Sequence, residues 1–234
     1  MELPVILSDP TAAATLLRNY YTEPLRNGQV RSGARFDTWA GGGAAPAVAN
    51  QITADDILAA SFLSVEYSPK AVIGILETRK TEISALLQRI PVGLELADVT
   101  HDSYKSVLGE ESPAWELWDL LRGKNDGGWG IGATKASKLL ARKRPHLIPI
   151  WDSVVKAQTG LRDSSTQWSD LHELLTRDKA GFAAELDEIH RQAQLPHPVS
   201  RLRTLDVVLW MDGAGRGIAE PKRSEGEESQ VGES

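Results

Sequence analysis

A pair of glycines at the start of a helical pattern constrains this chain more than any other feature. Gly130 and Gly132 flank one apolar residue, Ile131, and helix-forming residues follow as far as Lys143. Glycines in such a turn let backbone amides at the start of a helix approach a phosphate closely. Pro145 ends the helical pattern, because proline disfavours a helical residue before it. The segment therefore predicts a turn between two helices that can bind a phosphate.

An aspartate lies where the next helix would begin. A short apolar connector ends at Trp151, and Asp152 and Ser153 follow it. Aspartate is a preferred N-cap residue, so one interpretation of Asp152 is a helix cap that contributes about 1 kcal/mol. The other interpretation depends on the whole pattern of residues 129–156.

That pattern resembles the helix-hairpin-helix DNA glycosylase superfamily. Asp152 lies twenty-two residues after Gly130, the spacing of the endonuclease-III and adenine-glycosylase branches. The likeness covers about thirty of the 234 residues and rests on Gly130-Ile131-Gly132, a small residue at Ala136, Pro145, Trp151, Asp152-Ser153 and Val155.

The resemblance implies an enzyme that flips out a modified or damaged base, hydrolyses its N-glycosidic bond and leaves an abasic site. Asp152 would be the catalytic carboxylate. In relatives that also cut the strand, a Schiff-base lysine takes the position of Thr134, one residue before Lys135. Adjacent side chains on a helix point about 100° apart, so we expect a monofunctional enzyme and keep Lys135 as a second catalytic candidate. The residues expected to grip the DNA are Gly130, Ile131, Gly132, Thr134, Lys135 and Lys138.

Other interpretations of the same residues stay open. The chain could be a noncatalytic helix-hairpin-helix DNA-binding module, in which Asp152 is only a cap, or a helical protein–protein scaffold. For a glycosylase, the base is also open. Alkylated or oxidised bases would indicate base-excision repair, and bulky modified pyrimidines of phage DNA would indicate antiviral defence.

A run of basic residues supports a nucleic-acid partner. The chain has a net charge of −6, but residues 122–144 carry seven basic side chains and one acidic one. A basic patch on an acidic protein concentrates phosphate binding at one place. The alternative is a solvated helix face. The basic residues of this run are Arg122, Lys124, Lys135, Lys138, Arg142, Lys143 and Arg144.

A glycine-rich loop, residues 27–50, interrupts the helical patterns. A long loop in a compact domain is usually functional or disordered. We expect aromatic and charged residues of this loop, together with Trp151, to form the pocket for the base. The alternative is a surface loop that two aromatic side chains pin to the core. The pocket candidates in the loop are Arg35, Phe36, Asp37 and Trp39.

The composition excludes several kinds of site. The absence of cysteine excludes disulfides, zinc–thiolate sites and a cysteine-ligated iron–sulfur cluster, which is a departure from the glycosylase branches that carry such a cluster. The histidine spacings match no metal motif, so we expect no metal and no cofactor. No apolar run approaches the ~20 residues of a membrane span. We expect a cytoplasmic monomer that acts on double-stranded DNA and has no membrane contact.

Capped amphipathic patterns predict an all-α fold. Helices should begin after Asp9, Thr53, Ser68 and Ser112, and the last should span residues 201–211. We predict a glycosylase-like domain over residues 1–212, built as a bundle of two helical subdomains with Asp152 in the cleft between them. Residues 213–234 are rich in Gly, Ser and Glu and predict a disordered acidic tail.

Overall fold

A computed structural model describes residues 3–123, 128–161, 163–177 and 181–217. The regular structure in these ranges is helical, with no β-strand among them, so the predicted all-α class is confirmed. A π-helical segment, Gly74–Thr78, joins the third and fourth α-helices. The α-helices are α1 (Pro10–Thr22), α2 (Ala54–Ser61), α3 (Pro69–Ile73), α4 (Lys80–Arg89), α5 (His101–Leu108), α6 (Pro113–Arg122), α7 (Ala133–Lys143), α8 (Ser153–Thr159), α9 (Gln167–Thr176), α10 (Gly181–Ala193) and α11 (Arg201–Gly215).

The helices begin where the capping residues predict. Asp9 accepts hydrogen bonds from two backbone amides of α1, and Thr53 forms a capping box with Asp56 at the start of α2. The side chains of Ser68 and Ser112 each accept a hydrogen bond from one backbone amide in the first turn of α3 and α6. These side chains satisfy amide groups that the first helical turn leaves without an intrahelical partner.

One large core joins the helices from both halves of the chain. It includes buried residues from Leu7 to Leu209. Helix α11 lies inside this core and packs on α1, α8 and α10. Its residues from Leu202 to Leu209 are all buried, as expected of a helix that is surrounded by other helices. No helix in the described ranges is long and apolar enough to cross a membrane.

The last helix extends four residues beyond its predicted end at Met211. Helix α11 continues to Gly215 rather than ending at Met211. Gly213 is buried against α8, and a Cβ atom there would lie 2.5 Å from Cγ1 of Val154. Gly213, the first residue of the predicted tail, therefore packs against α8. Most of the predicted tail, residues 218–234, lies outside the described residues.

Candidate active site

The turn before α7 contains a glycine with a left-handed backbone conformation. We call residues 128–132 the glycine turn. Gly130 has a φ of 71°, in the left-handed region that favours glycine. Gly130 and Gly132 are exposed, and no atom lies within 4 Å of a Cβ built on either of them. Ile131 is only 4% exposed, so its side chain anchors the turn while the glycine backbone faces solvent.

Helix α7 starts directly from this turn. Its N-cap residue is Gly132, which has no side chain to cap the first amides. The amide groups and the dipole at such a helix start favour anions. Lys135 lies in the first turn of α7, and its Nζ donates a hydrogen bond to the carbonyl of Gly130 over 3.0 Å. Thr134 is half-buried in the same turn. Positive charge and backbone donors therefore lie together at this corner.

Asp152 caps α8 and also faces a charged group. Its Oδ1 accepts a hydrogen bond of 2.9 Å from the backbone amide of Val154. Its Oδ2 lies 3.6 Å from Nζ of Lys138. Asp152 is only 7% exposed. One oxygen thus performs the capping role, and the other belongs to a buried ion pair.

The structure corrects the roles expected of two lysines on α7. Lys138 was expected on the DNA backbone, but its side chain is 4% exposed, and its Nζ donates to the carbonyl of Leu63 over 2.6 Å. It therefore lies beside Asp152 rather than on the surface. Lys135 was the second catalytic candidate, yet it does not line the cavity that contains Asp152. Its bond to Gly130 places it at the glycine turn.

Asp152 and Lys138 line a cavity of about 190 Å³. We call it the Asp152 cavity. Its walls combine charged residues with aromatic rings, and one wall is the start of the glycine-rich loop. The lining residues are Tyr20, Leu25, Arg31, Ser32, Gly33, Phe62, Leu63, Ser64, Lys138, Ile150, Asp152, Arg203, Asp206, Val207 and Trp210.

The predicted base-pocket residues do not line this cavity. Phe36 is 2% exposed and belongs to a small core cluster. The indole of Trp39 donates to Asp55 over 3.0 Å. Arg35 is exposed, but its guanidinium lies 5.8 Å from the Trp39 ring centroid. Phe36 and Asp37 line a different cavity, of about 300 Å³, and the loop contributes residues 31–33 to the Asp152 cavity.

The two remaining pocket candidates also have other roles. Asp37 accepts a hydrogen bond from the hydroxyl of Tyr21 over 2.9 Å and pairs with Arg203. Trp151 donates its backbone amide to Oγ of Ser137 over 2.9 Å. Asp37 thus holds the side chain of Arg203, which lines the cavity. The backbone of Trp151 fixes the connector that leads to Asp152.

Arg203 on α11 organises one wall of the cavity. Its Nε donates to Asp37 over 3.1 Å, and its Nη2 donates to the Tyr20 hydroxyl and to the Gly33 carbonyl, each over 3.1 Å. Its Nη1 donates to Oδ2 of Asp206. A Cβ on Gly33 would lie 2.0 Å from the Tyr20 hydroxyl oxygen, so any larger residue would push the loop away from this wall.

Arg203 and Asp206 were not among the residues predicted from the sequence. The signal was available, because these two charged residues at positions i and i+3 interrupt a helical segment whose other residues, apart from Thr204, are apolar and buried. Buried charges of this kind are paired or functional. Burial raises the pKa of Asp206 to about 6, the charge of Arg203 lowers it, and the charge of Asp152 raises it.

Most residues of the predicted basic patch are buried and do not face solvent. Arg142, Lys143 and Arg144 are at most 3% exposed. Arg142 and Lys143 pair with Asp56 over 3.3 Å and 2.9 Å, and burial lowers the pKa of Lys143. Arg144 donates to the carbonyl of Ala49 over 2.8 Å, and burial lowers its pKa to about 10. Arg142 and Arg144 tie the glycine-rich loop to α7, and Lys143 ties α2 to it.

The outer members of the predicted patch differ from these three. Arg122 is half-buried, and its guanidinium lies 5.1 Å from the ring centroid of Trp118. Lys124 lies outside the described residues. In the part of the chain that the structure describes, no three His, Asp or Glu side chains group as metal ligands.

A family model described as DUF6308, a family of unknown function, matches residues 13–213. The chain belongs to this family. Comparison with curated proteins and with solved structures finds no match. The DUF6308 match includes the glycine turn, Asp152 and every residue that lines the Asp152 cavity. The candidate site therefore lies within the segment by which the family is defined.

Proposed function

We propose that this protein is a DNA glycosylase that flips out a modified or damaged base and hydrolyses its N-glycosidic bond. One observation carries the proposal: Asp152, at the head of α8, lines a cavity and follows an exposed glycine turn at the spacing of the helix-hairpin-helix glycosylases. Beyond the resemblance in sequence, the cavity offers a base a place to bind beside the carboxylate of Asp152.

The glycine turn is suited to hold a DNA backbone. Gly130 and Gly132 are exposed, so a phosphate could approach the amides at the start of α7 without meeting a side chain. Lys135 adds one positive charge at the same corner. The buried Ile131 supports a fixed turn, which lowers the cost of ordering on binding.

The Asp152 cavity is suited to a single flipped base. Its volume of about 190 Å³ is below the roughly 300–1,000 Å³ of pockets for drug-sized ligands. Tyr20, Phe62 and Trp210 offer aromatic surfaces on which a base can stack. Extrusion from the duplex costs a few kcal/mol, and stacking of about 1–3 kcal/mol per base offsets part of this.

The carboxylate of Asp152 would act on the sugar. As the C1′–N bond breaks, positive charge develops on the deoxyribose, and a nearby carboxylate stabilises it. The same group can accept a proton from the attacking water. Oδ1 of Asp152 accepts the capping bond, and Oδ2 lies 3.6 Å from Nζ of Lys138. Because Lys138 is held by Asp152 and by the Leu63 carbonyl, we propose a monofunctional enzyme that leaves an abasic site.

We further propose that the enzyme acts as a monomer on double-stranded DNA in the cytoplasm and needs no cofactor. The excised base decides between two biological roles. Release of alkylated or oxidised bases would indicate base-excision repair. Release of the modified pyrimidines of phage DNA would indicate antiviral defence.

A noncatalytic DNA-binding module is the second candidate function. The hydrogen bond from Val154 to Oδ1 of Asp152 favours it, because a helix cap accounts for that oxygen without any chemistry. The glycine turn would then bind DNA in the same way. The two candidates differ only in what happens to the bound DNA.

The test is incubation of the full chain with a panel of DNA duplexes that carry alkylated, oxidised or deaminated bases, together with modified phage genomes. Abasic sites are detected with an aldehyde-reactive probe, and duplexes of the same sequence without modification serve as controls. The glycosylase proposal expects abasic sites in at least one modified DNA and none in the controls. Binding to DNA without any base release would favour the binding module.

A further inference from the structure

The Asp152 cavity holds a second carboxyl group. Asp206 lies on α11, within its buried segment, and its side chain is 11% exposed. It lines the same cavity as Asp152. A charged residue in a buried helix is costly unless it is paired or has a function. Asp206 pairs with Arg203, but Arg203 also donates hydrogen bonds to Asp37, Tyr20 and Gly33.

Charged groups from four elements of the fold lie around Asp206. The cations are Arg31, Lys138 of α7 and Arg203 of α11, and the carboxylates are Asp37 of the glycine-rich loop and Asp152 at the head of α8. Tyr20 of α1 also lines the cavity. Asp152 and Asp206 share the cavity, and a carboxylate beside a buried carboxyl group favours the protonated form of that group.

Asp206 is the carboxyl group with the least support as an anion. Asp152 accepts a backbone amide bond and faces Lys138. Asp37 accepts from Tyr21 as well as from Arg203. Among the described residues, Asp206 accepts only from Arg203, through Oδ2. Its Oδ1 carries no such bond, so the proton belongs on this residue.

We propose that Asp206 is the general acid of the site, and that the excised base is one that is neutral before cleavage rather than a cationic N-alkylated base. This inference rests on the proposed glycosylase function and names the substrate class for it. A cationic base leaves as a neutral molecule when the glycosidic electron pair moves onto it. A neutral base would leave as an anion unless it receives a proton, and Asp206 supplies that proton.

The proposed step is balanced. The C1′–N bond breaks, its electron pair moves to the base, and the proton of the Asp206 carboxyl group is transferred to the base. Water forms the new C1′–O bond and transfers one proton to Asp152. Exchange with solvent moves that proton away and protonates Asp206 again. The products are the free base and an abasic sugar that carries the hydroxyl group of the water.

The raised pKa of Asp206 agrees with the role of a general acid. Burial raises its pKa to about 6, and the charge of Asp152 contributes to the increase. An acid must be protonated to act, so the rate of base release should be highest below about pH 6 and fall about tenfold per pH unit above it. Replacement of Asp152 by asparagine removes a neighbouring negative charge and should lower the pKa of Asp206.

The experiment measures single-turnover base release from about pH 5 to about pH 8 by the unmodified full chain, Asp206→Asn and Asp212→Asn. The duplex substrates contain hypoxanthine, 8-oxoguanine, uracil or 5-hydroxymethyluracil as neutral bases, and 7-methylguanine as the cationic base. Asp212 is a matched control, because it lies on the same helix outside the cavity and pairs with Arg216. A melting curve for each variant checks that it folds.

We expect release of at least one neutral base, with a rate that falls above about pH 6, a loss of at least about 10²-fold in Asp206→Asn and a flat pH profile for that variant. Asp212→Asn should match the unmodified chain. Equal rates and profiles for Asp206→Asn, or faster release of 7-methylguanine than of every neutral base, would overturn the inference while leaving the glycosylase proposal intact. No release of any base would remove both.

A second measurement covers the case in which Asp206→Asn does not fold. Carbon-13 spectra of labelled aspartate carboxyl groups in the full chain should show one group that titrates near pH 6. The same group should titrate at lower pH in Asp152→Asn. If every aspartate titrates near its ordinary pKa of about 4, Asp206 is not protonated at working pH and the inference fails.

Discussion

The two ends of α7 carry similar charges in opposite surroundings. At its start, Lys135 lies beside the exposed Gly130 and Gly132. At its end, Arg142 and Lys143 are at most 3% exposed and contact Asp56. Both ends belong to one basic run in the sequence. The difference shows that the spacing of charges along a helix does not determine whether they face solvent or another part of the chain.

The buried end of α7 has a structural purpose. The glycine-rich loop offers carbonyl groups that helices and strands do not satisfy, and buried carbonyls require donors. Arg142 donates to the carbonyls of Phe36 and Asp37. Arg144 donates to the carbonyl of Ala49 and to Oδ1 of Asn50. Arg142 and Arg144 therefore hold a loop whose regular structure is limited to two short 3-10 helices.

This loop connects the buried end of α7 to the candidate active site. Its first part supplies residues 31–33 to the Asp152 cavity, and Arg203 contacts the carbonyl of Gly33 and the carboxylate of Asp37. The exposed end of α7 would bind DNA, and the buried end would keep the cavity in shape. DNA binding by the exposed end of α7 and support of the cavity by its buried end can therefore be tested separately.

The largest effect is expected at the buried end. Asp56→Asn removes the carboxylate that two buried cations share and should destabilise the fold by about 3–5 kcal/mol. Chemical unfolding measures this cost. Asp55→Asn is the matched control, because Asp55 is the exposed neighbour on the same helix. Equal costs for the two variants would mean that the charges at the end of α7 are not coupled as described.

A smaller effect is expected at the anchor of the glycine turn. Ile131→Ala removes a side chain that is 4% exposed and should cost about 2–4 kcal/mol, with weaker DNA binding because the turn is less ordered. Ile73→Ala is the control, since Ile73 is 52% exposed. Unfolding and binding isotherms measure both effects. If Ile131→Ala binds DNA as tightly as Ile73→Ala, the turn is not the DNA grip.

The smallest effect is expected at the exposed end itself. Lys135→Gln should weaken binding about equally for all DNA sequences and reduce the dependence of log Kd on log salt by about one. Folding should change little, because the side chain lies at the surface of the turn. Lys105→Gln, on the exposed side of α5, should leave the salt dependence unchanged. A salt dependence that is the same in both variants would place the DNA elsewhere.

Local features could be predicted from the sequence because they depend on neighbouring residues. Asp9, Thr53 and Ser112 cap their helices as expected, since a cap contacts amides two or three residues away. Asp152 caps α8 for the same reason. The conformation of Gly130 also follows from its own residue type.

Features that depend on distant contacts could not be predicted in this way. Lys138 contacts Leu63, seventy-five residues away, and Arg203 contacts Gly33, one hundred and seventy residues away. Nothing local to Lys138 distinguishes it from a surface cation, and the apolar neighbours of Arg203 indicate burial but do not identify its partners. The aromatic residues of the glycine-rich loop were expected at the base pocket, but Phe36 packs under the loop. Only the packing of α11 and α7 determines which part of that loop faces the cavity.

The central claim is that Asp152 is a catalytic carboxylate and more than a cap. Asp9→Asn offers a matched control, because Asp9 caps α1 through the same kind of hydrogen bonds and lies outside the cavity. Asparagine caps about as well as aspartate, so Asp9→Asn should melt close to the unmodified chain, whereas Asp152→Asn also removes the partner of the buried Lys138 and should melt at a lower temperature. Both should also bind DNA.

The deciding measurement is the single-turnover rate at which Asp152→Asn and Asp9→Asn form abasic sites. The substrate is whichever DNA of the panel loses a base to the unmodified chain. We predict that Asp152→Asn loses about 10²–10³ in rate, or about 3–4 kcal/mol of transition-state stabilisation, while Asp9→Asn keeps the full rate. Undiminished base release by a folded Asp152→Asn would contradict the account and leave Asp152 as a helix cap.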